Sequence, residues 1–190
     1  MRRLTSTVRR GRLVVGVTAC AFAALAAAPA KAADLTGTPG DDVIHGTPHA
    51  DAIRGLAGND WLYGRRGADV IRTGAGSEWV EGGPGDDTII GSRGRVCFED
   101  LYGGSGDDYL WGGPGTDGLS GRRGDDEIHG GAGGDDIRPG SGTDIVFAGA
   151  GSDFLTPAGG GNDRVNTGPG PGRGPGMGQG PSGVPAGKGT

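Results

Sequence analysis

Cysteine is nearly missing from this 190-residue chain. Cys20 and Cys97 are its only two, so no disulfide framework can hold it together. Aromatic residues make up 5% and apolar residues 33%, with much of the apolar share in the first 32 positions, which leaves little for an ordinary core. His45, His49 and His129 are the only histidines, too scattered for a zinc or copper cluster. Gly-x-Ser-x-Gly, His-Glu-x-x-His, a phosphate loop and the EF-hand pattern are all missing, so the chain reads as a non-enzyme. Glycine is what abounds, at 46 residues, against an average usage of about 7%. A helical domain is excluded, because glycine inside a helix costs about 1 kcal/mol relative to alanine. Collagen is excluded as well, because glycine does not recur at every third position.

The first 32 residues read as an export signal. Arg2, Arg3, Arg9, Arg10 and Arg12 form a basic start, Leu13 to Ala28 is almost wholly apolar, and Ala30-Lys31-Ala32 matches an A-x-A cleavage site. The apolar run is shorter than the roughly 20 residues of a membrane span, so no stable membrane insertion is expected after cleavage. The Sec, twin-arginine (Arg9-Arg10) and lipoprotein (Cys20) routes stay open. Each predicts a secreted, extracellular protein. The leader carries six of the 18 basic residues and none of the 23 acids, leaving 12 against 23, a net charge of −11 rather than −5. Such a polyanion is not expected to bind nucleic acid. It suits cations.

From Gly37 to Asn166 the chain divides into fourteen units, twelve of them nine residues long. The unit Gly91–Tyr102 has three extra residues and Pro157–Asn166 has one. The sixth position is acidic in every unit: Asp42, Asp51, Asp60, Asp69, Glu78, Asp87, Glu99, Asp108, Asp117, Asp126, Asp135, Asp144, Asp153 and Asp163. The eighth is always aliphatic, from Ile44 to Val165, and the fourth is glycine except at His49. Glycine lets the first five residues turn with their carbonyls converging. The last three form a short strand whose central side chain points inward. The expected fold is an all-β, right-handed parallel β-roll, a β-solenoid of fourteen units. Odd units stack in one sheet and even units in the other, each pairing with the units two before and two after.

Fourteen inward aliphatics are too few to offset the entropy of ordering the whole repeat region, and stacked carboxylates repel. The roll therefore calls for cations. A hard divalent ion with six to eight oxygen ligands suits converging carbonyls and carboxylates, and calcium suits them better than magnesium, which demands near-ideal octahedral geometry.

The pattern Gly-Gly-x-Gly-x-Asp-x-U-x, seen in Gly82–Ile90 and Gly103–Trp111, resembles the nonapeptide of RTX, or haemolysin-type, calcium-binding proteins. The resemblance covers Gly37–Asn166. It implies a calcium-binding β-roll with multiple Ca2+ ions held between units n and n+2, at most twelve such pairings, with the fourteen sixth-position carboxylates as side-chain ligands. His49 in a glycine slot, Thr47-Pro48 beside it, and the longer Glu78 and Glu99 depart from that pattern.

The expected organisation is a signal peptide at 1–32, a short lead-in at 33–36, the roll at 37–166 and a disordered Gly/Pro-rich tail at 167–190. Val96-Cys97-Phe98 is expected to bulge from the roll, and the three histidines to be solvated. Trp61, Tyr63, Trp79 and Tyr102 should share the outer face of one sheet, with Tyr109 and Trp111 on the other. A glycan or cell-surface partner on that aromatic face, in an adhesin or matrix module, is the alternative reading.

Overall fold

A computed structural model describes residues 13–14, 31–92, 97–156 and 159–169. Most of the expected leader, including Ala30 of the expected cleavage motif, and residues 170–190 of the expected tail lie outside the described residues.

Period-nine glycine and period-nine aliphatics leave each unit one short strand, and the strands stack in alternation. One sheet holds β1 (Leu13–Val14), β2 (Asp34–Thr36), β4 (Ala52–Ala57), β6 (Val70–Ala75), β8 (Thr88–Ile90), β10 (Tyr109–Gly115), β12 (Glu127–Gly133), β14 (Ile145–Gly151) and β16 (Arg164–Asn166) in that order. The other holds β3 (Val43–His45), β5 (Trp61–Tyr63), β7 (Trp79–Pro84), β9 (Asp100–Ser105), β11 (Gly118–Arg123), β13 (Asp136–Ser141) and β15 (Phe154–Leu155). All pairings are parallel, and each joins strands one full coil apart, such as Ile53↔Ile71 and Leu119↔Ile137. The result is an all-β parallel solenoid of about seven coils.

The core is two facing files of aliphatics, one from each sheet. Ile53, Ile71, Ile89, Leu110, Ile128 and Val146 stack in one, and Leu62, Val80, Leu101, Leu119 and Ile137 in the other, all buried. Neighbours above and below cover each side chain, so only the ends differ. Val165 was expected to point inward like the rest, yet it is 40% exposed. Among the described residues no later coil covers it.

Three further expectations change. The roll begins before Gly37: β2 lies in register with β4, and Leu35 is buried against Ile53 as an additional eighth-position residue. Most strands also run past the expected three residues into the first glycines of the next unit, as β10 and β12 do over seven residues. Finally, Cys97 does not bulge. It bridges Gly115 in parallel, and its carbonyl accepts the Thr116 N–H at 3.4 Å, so Cys97 occupies the fourth-position rung of its unit. Phe98 does stand out, at 65% exposure. Val96 lies outside the described residues.

The turns explain the glycines. Gly85 has φ of 140°, and a Cβ there would sit 1.9 Å from the carbonyl oxygen of Gly67, one coil back. A side chain at Gly85 would not fit between the stacked turns.

Candidate metal centre

The turn closes over the carboxylate that follows it. The sixth-position side chains from Asp42 to Asp153 are all buried, although most belong to a residue type that is rarely buried unpaired. Their two oxygens have different partners. On the edge that carries the even units, Oδ1 accepts the backbone N–H of the sixth residue one coil earlier. Asp51 N–H donates to Asp69 Oδ1 at 2.7 Å, Asp69 to Asp87 at 2.8 Å and Asp87 to Asp108 at 2.8 Å. Asp108 donates to Asp126 at 2.9 Å, Asp126 to Asp144 at 3.0 Å and Asp144 to Asp163 at 2.9 Å. The opposite edge repeats the pattern from Glu99 to Asp117, Asp135 and Asp153, and from Asp42 to Asp60. Among the described residues the ladder breaks between Asp60 and Glu99: neither Glu78 oxygen finds a hydrogen-bond donor, and Oε1 of Glu99 accepts the Ser92 N–H of its own unit at 2.7 Å. The extra methylene of glutamate carries its carboxylate out of register.

The second oxygen is the informative one. Oδ2 of Asp60, Asp69, Asp87, Asp108, Asp117, Asp126, Asp135, Asp144 and Asp153 is buried with no hydrogen-bond partner, as is Oε2 of Glu99. Buried polar atoms are nearly always satisfied, so an orphan repeated in each coil from Asp60 to Asp153 marks a ligand position. The first-position glycine shows what lies beside it. A Cβ at Gly64 would fall 2.4 Å from Asp69 Oδ2 and 2.6 Å from the Gly82 carbonyl oxygen, and one at Gly82 would meet Asp87 Oδ2 and the Gly103 carbonyl. At Gly112 the pair is Asp117 Oδ2 and the Gly130 carbonyl, both at 2.8 Å. Gly55, Gly64, Gly82, Gly91, Gly112, Gly121 and Gly130 thus each leave a cradle between a free carboxylate oxygen and a main-chain carbonyl from one coil on. Among the described residues no three Asp, Glu, His or Cys side chains converge on one point, so any cation here must take main-chain oxygens too. That donor set is hard and all-oxygen, which fits calcium.

The fourteen expected ligands are not equivalent. Thr38 N–H and hydroxyl donate to Asp42 Oδ2, at 2.5 and 3.0 Å. Thr47 N–H reaches Asp51 Oδ2 at 2.5 Å, and its hydroxyl reaches Oδ1 at 3.0 Å. The first two units therefore satisfy Oδ2 internally, through a threonine at a position where no later unit carries one. Asp163, at the open end, is only half-buried.

Electrostatics follow from burial. Withdrawal from water pushes Asp69 and Asp117 up to about 6, Asp87, Asp126 and Asp135 to about 7, and Asp108 to about 8. Neighbouring carboxylates add to the rise for each, and the donated backbone N–H opposes it. Asp60 and Asp144 are raised for the same reasons. Glu78 and Glu99 are raised by burial first, and Glu99 further by the charge of Glu78.

A second ladder was missed in the sequence. Asp86 Oδ1 accepts the Asp107 N–H at 3.0 Å, Asp107 that of Asp125 at 2.8 Å, and Asp125 that of Thr143 at 2.7 Å. These fifth-position side chains are exposed and add oxygen to the same edge. The doublets Asp86-Asp87, Asp107-Asp108 and Asp125-Asp126 were its signal. His45 and His49 are exposed as expected, but the rings of two histidines have neighbours: His45 stacks on Tyr63 at 4.6 Å, and the half-buried His129 contacts Glu127 at 2.7 Å while stacking on Phe147. A cross-strand neighbour of like shape holds each ring.

No curated protein matches the chain. The model of the RTX calcium-binding nonapeptide repeat (4 copies) matches residues 45–77, 72–95, 99–128, 112–146, 120–155 and 140–172, about two-thirds of the sequence. With its stacked parallel strands, its glycine turns and an acidic residue phased to each, the chain belongs to the RTX calcium-binding nonapeptide repeat family.

Proposed function

We propose that this is an exported, non-catalytic calcium-binding repeat protein whose roll forms only when its acidic columns are neutralised outside the cell. The observation that carries the reading is the file of buried carboxylate oxygens without partners. Oδ2 of Asp69, Asp87, Asp108, Asp126 and Asp144 would serve one edge, and that of Asp60, Asp117, Asp135 and Asp153 the other, together with the carbonyls that flank the first glycines. Glu78 and Glu99 are longer ligands in the same file. Asp42 and Asp51, already bonded to Thr38 and Thr47, would be weaker ones, as would Asp163. When bound, calcium supplies positive charge and a flexible shell of six to eight oxygens.

The chain's own part is to place oxygens and to repel itself when they are uncompensated. Inside the cell, where calcium is scarce, adjacent carboxylates one coil apart would oppose stacking and keep the chain extended for translocation. Outside, where extracellular modules bind in roughly the 10⁻⁴–10⁻³ M range, folding and binding become one step. The predicted leader supports export. Among the described residues no helix is long and apolar enough to cross a membrane.

A titration with calcium at neutral pH, followed by far-ultraviolet circular dichroism and calorimetry together, tests the proposal. It should show a coil-like spectrum in chelator and a cooperative gain of β signal with calcium that magnesium does not reproduce. A folded spectrum in excess chelator at neutral pH would overturn it.

A further inference from the structure

The outer face of the β3–β15 sheet carries a feature that metal binding does not use. Along it His45 stacks on Tyr63 with centroids 4.6 Å apart, Tyr63, Trp79 and Tyr102 follow in tilted contacts at 5.2 and 5.5 Å, and Trp61 joins Trp79 at 5.8 Å. Trp61 is 53% exposed. Beside this ladder, where the strands enter the next turn, the second and third positions hold Arg65-Arg66 in one unit and Arg122-Arg123 three coils on. Between them the same register positions are Gly83-Pro84 and Gly104-Ser105. The glycines leave a trough, with adjoining depressions of about 310 and 300 Å3, that runs from Tyr63 and Arg65 past Glu81 to Arg122 and Arg123.

Two observations say that the arginines are placed rather than scattered. Arg65 and Arg122 have φ of 83° and 79°, a left-handed conformation that favours glycine, and glycine takes this register position at Gly83, Gly104 and Gly140. Holding a long side chain there costs about 1 kcal/mol or more. Arg122 lies over the Tyr102 ring at 4.9 Å and pairs with Glu81 at 3.0 Å. Among the described residues Arg65, Arg66 and Arg123 pair with no carboxylate. Of the nearby acids, Asp87 and Asp108 point into the roll, Asp86 and Asp107 bond the backbone of the following coil, Glu81 is paired with Arg122, and the exposed Asp100 lies beside Trp79 at the far end of its strand from the trough.

We propose that this trough binds an anionic polysaccharide. Its sugar rings would lie on Trp61, Trp79 and Tyr102, and its uronate or sulfate groups would meet Arg65, Arg66 and Arg123. Aromatic faces suit the apolar faces of sugar rings, and guanidinium forks suit carboxylate and sulfate. The two arginine pairs are about 14 Å apart at the rung spacing of a sheet, so a chain of several sugars is the fitting ligand.

The test uses the full chain in saturating calcium, its fold confirmed by circular dichroism, so that loss of folding is read separately from loss of binding. Calorimetry with hyaluronan oligosaccharides (uronate only), heparin oligosaccharides (uronate and sulfate) and dextran (neutral) reads the specificity. At least one anionic glycan should bind, weaken with added salt, and lose tenfold or more in affinity in R65G/R66S/R123S, whose residues match those at the intervening rungs. The same variant should keep its calcium-induced spectrum. W61A should weaken binding further without altering the salt slope. Equal binding of dextran, unchanged affinity in the arginine variant, or preferential binding of a single-stranded oligonucleotide would each overturn the proposal.

Discussion

Acid should replace calcium in folding this roll. Asp69 and Asp117 titrate near 6, Asp87, Asp126 and Asp135 near 7 and Asp108 near 8 in the folded chain, all above the ordinary 3.8. Because each folded value is raised, the stabilisation is complete below the unfolded value and drains away as pH rises through 6 to 8. Between pH 8 and pH 5 the unfolded carboxylates stay ionised. The folded groups near 7 and 8 then regain two to three pH units of extra proton binding, and those near 6 about one. At about 1.4 kcal/mol per unit the six together come to about 15 kcal/mol. Carboxylates of one column raise one another, so the plain sum counts their repulsion twice and the net effect is on the order of several kcal/mol. Small domains are stable by only about 5–15 kcal/mol, so the shift decides whether the metal-free roll forms. In chelator, circular dichroism and urea titration should find a coil at pH 8 and a β-rich, cooperatively unfolding chain at pH 5. Calcium added near pH 7 should release protons into a weakly buffered solution. If the chelated chain has the same spectrum and urea midpoint at both pH values, or loses structure on acidification, the buried columns are not what opposes folding.

Asp126→Asn keeps the acceptor for the Asp108 N–H but removes the charge. In chelator at neutral pH it should stabilise the roll by about 1–2 kcal/mol while calorimetry counts fewer calcium ions. Gly85→Ala, measured by thermal unfolding in saturating calcium, should cost at least about 1–3 kcal/mol, because its Cβ meets the Gly67 carbonyl and its φ is left-handed. Leu110→Ala should cost about 2–5 kcal/mol from the middle of the core. Val165→Ala, partly exposed at the end, should stay within about 0.5 kcal/mol. Equal losses at Leu110 and Val165 would contradict the graded covering of the core.

The repeat made much of this structure legible. Sheet assignment needed only the parity of the unit, which is why Trp61, Tyr63, Trp79 and Tyr102 share a face as expected. The sixth column was visible as acids and the eighth as aliphatics, and both are buried along most of the roll. Cys97 was misplaced because an insertion destroys phase, and counting from Gly91 cannot show where the chain rejoins its rung. Leu35 escaped because its unit has no preceding glycine turn, although a strand needs only an in-register neighbour to pair.

By itself, then, the sequence determined the period, the alternation of the sheets and the burial of one acid and one aliphatic per unit. Those follow from chain-local rules: glycine turns, a two-residue side-chain alternation and a constant unit length. Tertiary structure decided which oxygen of each carboxylate is free. Oδ1 is taken by an N–H about eighteen residues away, and Thr38 and Thr47 close the sites at Asp42 and Asp51. It also brought Arg65 and Arg122 to one trough across 57 positions of sequence. Hydrogen-bond saturation and surface neighbourhood depend on how coils settle on one another, and no single unit contains that information.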